Sequence, residues 1–100
     1  MTVAFSPGLL AYMARRKRRI LSVEVASSDH SDLEVTELYA RLVRDDFADY
    51  LVEKKHYRRV PAGEYEVLLP NYRLHVDEEL RFGLKKYWLI HHITIEGIRL

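Results

Sequence analysis

Cysteine is missing altogether from these 100 residues, and glycine (4), proline (3) and tryptophan (1) are sparse. Without thiols the chain can form no disulfide and offers no thiolate to a metal. With so few glycines it also lacks the Gly-x-Ser-x-Gly elbow, the phosphate-binding Walker loop and the dinucleotide-binding glycine pattern. No apolar run reaches the roughly 18 residues that a membrane span needs. The first residues make a poor signal peptide, because their charges follow the apolar stretch and no small-residue cleavage site comes after it. These absences lead to the expectation of a cytoplasmic, soluble protein that uses no membrane, cofactor or metal and is not an enzyme.

What is present describes a globular domain. Apolar residues make up 48% and charged residues 31%, a balance that folds rather than stays disordered. The length fits a single domain over residues 1–100, with residues 1–19 able to stand off as a basic helix or arm. The net charge is only +1, yet it is segregated. Arg15, Arg16, Lys17, Arg18 and Arg19 form an unbroken basic block. Eight acids then face two arginines between residues 29 and 53, and Lys54, Lys55, Arg58 and Arg59 follow. Such asymmetry carries more information than the total.

The periodicities predict an α+β fold: one or two N-terminal helices packed on a mostly antiparallel sheet of about four strands. Ser6 and Pro7 are a natural N-cap and first helical residue, opening a helix to about Arg18. Residues 20–26 alternate as a half-buried strand. Ser31 and Glu34 fit a capping box, and Val35, Leu38, Leu42, Phe47, Tyr50 and Leu51 recur at helical spacing. They predict a long helix from Ser31 to about Lys55 with its apolar stripe in the core. Beyond a break at residues 60–63, period-two segments suggest a meander: residues 65–69, 72–76 and 79–85 (or a short helix there), and a last strand over residues 87–95.

Three constellations could carry function. On a helix, five successive cations encircle the axis, and on a strand they occupy both faces, so the block must meet water, acids or a polyanion. Arginine forks suit phosphate oxygens, and Lys54, Lys55, Arg58 and Arg59 around Tyr57 repeat the pattern with an aromatic interleaved. The competing reading is a solvated ion-pair surface beside the acidic segment, worth little per pair. Second, Trp88, Ile90 and His92 would form one face of the last strand while Leu89, His91, Ile93 and Ile95 form the other. Two apolar faces on one strand ask for a cover on both sides, hence an interface. Third, five histidines raise a metal question. His91 and His92 are adjacent in a predicted strand and so point apart, and no His-Glu-x-x-His motif occurs. Tyr65 and Tyr72 share the aliphatic parity and are expected in the core.

The leading expectation is a small non-enzymatic binding protein that contacts nucleic acid phosphates through its basic block. The alternative is a protein-interaction or assembly subunit forming a homo-oligomer or part of a larger complex.

Overall fold

The computed structural model describes residues 1–30 and 33–100, with side chains for residues 1–26 and 37–100. The chain is α+β, with elements in the order β1 (Thr2–Phe5), α1 (Pro7–Arg16), β2 (Ile20–His30), β3 (Leu33–Val43), α2 (Asp45–Lys55), β4 (Arg58–Ala62), β5 (Tyr65–Leu69), β6 (His75–Tyr87) and β7 (Ile90–Arg99). Two mixed sheets replace the single, mostly antiparallel one expected. One has the order β1-β6-β7, the other β3-β2-β5-β4. The pairings β1–β6 and β2–β5 are parallel; both join strands distant in sequence, which local alternation cannot reveal.

Helix α1 follows its local signals. The Ser6 hydroxyl accepts from the Leu9 amide at 3.2 Å, and Pro7 occupies the first turn, where its missing N–H costs nothing. The helix stops inside the basic block. Lys17 turns left-handed at φ 55, and the Lys17 and Arg18 amides donate back to the Ala14 and Met13 carbonyls at 3.1 and 3.0 Å, which satisfies carbonyls the last turn would otherwise leave open.

The long helix from Ser31 to Lys55 does not form. Residues 33–43 are strand β3, fully paired with β2, and only Asp45–Lys55 are helical. The spacing was ambiguous for a physical reason. Leu38 and Leu42 are four apart, which is about one helical turn and also two strand repeats. Ala40 lies between them on the same core-facing side, with Glu37, Tyr39 and Arg41 exposed; that alternation belongs to a strand. Ser31 and its expected cap lie outside the described residues.

Further corrections concern the C-terminal half. The break at residues 60–63 is strand β4 turning through Gly63 (φ 66) into β5. Pro61 is tolerated because β4 is an edge strand. Residues 72–76 form no separate strand, and Tyr72 is exposed rather than core. The expected strand 87–95 is interrupted at its start: Tyr87 pairs with Ile90 across a tight turn made by Trp88 and Leu89.

The two sheets enclose one core. Leu21, Val23, Val67, Leu69, Leu80 and Phe82 meet there, and Leu9 and Met13 bring α1 onto it. Helix α2 covers the opposite face of the four-stranded sheet through Ala48 and Leu51, over Ile20, Val43 and Leu68. The central strands therefore read as unbroken buried runs, Ile20-Leu21 and Val67-Leu68-Leu69. No helix among the described residues is long and apolar enough to cross a membrane.

Gly97 locks the three-stranded sheet. It sits at φ +93, and a Cβ there would run into the Glu79 carbonyl, beside the irregular register between Val76 and Arg81. Gly97→Ala is expected to destabilise the fold by at least about 2 kcal/mol, from strain plus collision. Chemical unfolding measures it, and an unchanged midpoint would show that β6 and β7 separate without cost.

Candidate functional site

The basic block is divided by the end of α1. Arg15 and Arg16 lie over the ring of Tyr12, 5.9 and 5.7 Å from its centroid, and Tyr12 stacks on His91 of β7 at 4.7 Å. These two cations therefore flank β7 close to the tip of the β6–β7 hairpin, where His91 pairs with Lys86. Lys17, Arg18 and Arg19 face the other way, into a cleft of about 620 Å³ shared with Arg44, Asp45 and Asp46 at the start of α2. Arg18 donates to the carbonyls of Arg16 and Lys17 at 3.3 Å each, and Arg19 meets Asp45 at 3.6 Å.

The second basic group is spread out as well. Lys54 and Lys55 close α2, where cations complement the helix dipole. Arg59 is bound to Asp49 at 2.7 Å and to Glu66 at 2.5 Å. Burial lowers the Arg59 pKa, but the two carboxylates outweigh it and hold the guanidinium charged. Arg58 lines a separate cleft of about 490 Å³ with Leu69, Pro70, Tyr72, Leu74 and Val76.

The hairpin tip is the most exposed apolar feature. Tyr87, Trp88, Leu89 and Ile90 are 60%, 94%, 89% and 70% exposed. Trp88 holds φ +56, a left-handed conformation that turns normally give to Gly or Asn and that costs a bulky residue about 1–2 kcal/mol. His92 is exposed on β7 and His91 is half-buried. The apolar tip was legible in sequence only as a strand with two apolar faces; the turn that pushes four large side chains into solvent was missed. An alternation broken at Tyr87–Trp88, with Lys85 and Lys86 just before it, was the available signal.

Sequence reasoning also missed a polar cluster beyond α2. Glu24, 7% exposed, forms a two-pronged ion pair with Arg41 across the β2–β3 ladder. The Arg41 guanidinium lies 4.7 Å from the centroid of Phe47; the hydrogen bond it donates to the Glu24 carboxylate raises its pKa. Ser22, fully buried beside them, has no hydrogen-bond partner for its hydroxyl among the described residues. At the α2 amino end, Arg44 and the Phe47 amide hold the Asp46 carboxyl below the ordinary range.

Tyr57 packs at this cluster, and burial first, then the Glu24 charge, pushes its phenol up. The neutral form is thus favoured by folding. Its contribution is whole below the ordinary tyrosine value of about 10 and is lost as pH rises through the raised one. Spectrophotometric titration should show that Tyr57→Phe removes one ionisation above the ordinary range; loss of an ordinary or early ionisation would mean that Tyr57 is not packed.

No family model matches this chain, and no curated protein matches it. Among solved structures, the crystal structure of IscA with the [2Fe-2S] cluster superposes with a TM-score of 0.59 at 11% identity, covering 96% of this chain and 85% of that one. At that identity the likeness is one of fold.

Proposed function

We propose that the chain is a small, non-enzymatic cytoplasmic assembly subunit that docks through the tip of its β6–β7 hairpin. One observation carries this reading: four consecutive large apolar residues stand in water at a strained turn. An aromatic side chain holds about 150–250 Å² of surface, so the tip presents several hundred Å² of contiguous apolar area, the size that marks an interaction site. The occupant we favour is a second copy. The cleft lined by Leu69, Pro70, Tyr72, Leu74 and Val76 together with His56, Arg58 and Asn71 is roomy enough for an indole, whose ring can lie on the apolar side chains while its N–H meets the polar ones. It lies at the opposite end of β6 from the tip, about 30 Å away at 3.3 Å per residue along the paired strand β7, since β6 bulges between Val76 and Arg81. Two copies related by a two-fold axis and running antiparallel would each place a tip at the other's cleft, which closes the assembly as a dimer.

The fold likeness invites a further reading, that the chain holds an iron–sulfur cluster. The donor set does not fit one. Such clusters are held chiefly by cysteine thiolates, and this chain has no cysteine. Among the described residues, no three histidine or carboxylate side chains converge to hold a metal ion.

Sedimentation over a wide concentration range tests the assembly. The wild type should exceed the 11.9 kDa of one chain, and Trp88→Ser with Leu89→Ser should restore that mass without lowering thermal stability. A wild type that stays at 11.9 kDa overturns self-association. A blue shift of Trp88 fluorescence on anionic vesicles, with no self-association, would assign the tip to a lipid surface.

Contact with nucleic acid phosphates is the second reading. What favours it is the grouping of Arg15 and Arg16 around the Tyr12–His91 stack, cations beside aromatics as single strands require. It ranks second because Arg19 and Arg59 are engaged by acids and because bases make no use of exposed Leu89 and Ile90. For a single-stranded oligonucleotide, Arg15→Gln with Arg16→Gln should flatten log affinity against log salt by about 0.7 for every phosphate the two arginines neutralise. An unchanged slope rules those contacts out.

A further inference from the structure

Apart from the hairpin, one concavity brings together cations from two separate connections, α1 to β2 and β3 to α2. The 620 Å³ cleft between the end of α1 and the start of α2 is lined by Lys17, Arg18, Arg19 and Arg44 with Asp45 and Asp46. A second cleft of about 370 Å³ shares Arg18, Arg44 and Asp46 with it and adds Arg41 and Phe47. The two are one groove with arginines at both ends and in the middle.

The charges do not cancel. Asp45 pairs with Arg19, Asp46 with Arg44, and Glu24 with Arg41. Among the described residues no carboxylate pairs with Lys17 or Arg18. Two of the cations are also held in position before any ligand arrives. Carbonyls of the preceding residues fix Arg18, and Glu24 with the Phe47 ring fixes Arg41. Pre-organisation of this kind lowers the entropy cost of binding. Asp45 and Asp46 also open α2, so the positive end of that helix dipole faces the same groove.

We propose that this groove binds a small phosphorylated molecule through a diphosphate group, with Arg18 and Arg44 as the central contacts and Lys17 and Arg19 at one end. Guanidinium forks match phosphate oxygens in pairs. Two phosphates match the groove because Arg18 and Arg44 border both of its halves. Asp45 and Asp46 act as stand-ins in the empty state: an incoming diphosphate takes over their arginine partners. The concave shape suits a small molecule rather than a polymer backbone. The site is independent of the hairpin and of Arg15 and Arg16.

Inorganic pyrophosphate is the probe, titrated by calorimetry at constant ionic strength. It should bind the wild type and raise its unfolding temperature. Arg18→Gln with Arg44→Gln should weaken binding at least tenfold, while Arg15→Gln with Arg16→Gln, the same loss of charge outside the groove, should change it less than twofold. Arg44→Gln alone leaves the Arg18 carbonyl bonds intact and should still weaken binding several-fold, which guards against a folding defect in the double variant. Equal losses in both double variants would mean that only the general field of the basic block attracts anions, and the site would be rejected. Absence of binding at millimolar pyrophosphate would reject it too.

Discussion

The parallel pairing of β2 with β5 places Ile20 beside Glu66 and Leu21 beside Val67, and the other elements are arranged around it. Both strands are buried on both faces there, so the four-stranded sheet needs two covers. The three-stranded sheet and α1 supply one; α2 supplies the other. Such a strand is long on apolar side chains and short on polar ones, since neither side meets water. The arrangement also fixes where polar groups go. Past the end of the α2 cover, the same sheet face carries Ser22, Glu24 and Arg41, and the ion pair between the last two neutralises a carboxylate that burial would otherwise penalise.

That packing separates the basic block from the hairpin tip. Helix α1 is anchored by Leu9 and Met13, so its charged end is fixed relative to both sheets. Arg15 and Arg16 turn toward β7 while Arg18 and Arg19 turn toward α2. A block that is continuous in sequence becomes two groups with different neighbours, one over aromatic rings and one lining a groove. The three-stranded sheet carries β6 and β7 past the core, and their shared turn projects beyond it. Apolar residues at that tip are therefore left largely in water.

The likeness to IscA with the [2Fe-2S] cluster is instructive in this light. A fold can be kept at 11% identity because packing demands chiefly apolar residues at the positions that face the core. The ligands of a cluster are a separate requirement, and a chain without cysteine does not meet it. Fold and site are independent here.

Local chemistry was enough to read some of this from sequence. Ser6 and Pro7 announced α1, Lys54 and Lys55 the end of α2, and the alternation of Tyr65, Val67 and Leu69 announced β5, since caps, dipoles and strand parity act over a few residues. The α+β class and the exposure of much of the basic block followed from the same short-range rules. The identity of β3, the parallel pairings, the Glu24–Arg41 pair and the groove at α2 were settled only by tertiary structure. Leu38 and Leu42 suit a helix or a strand equally until Val25 and Leu21 of β2 lie beside them. Trp88 reads as a strand residue until the register of β6 against β7 makes it a turn. Period and charge are properties of a segment; the partner that selects among the conformations they allow lies elsewhere in the chain.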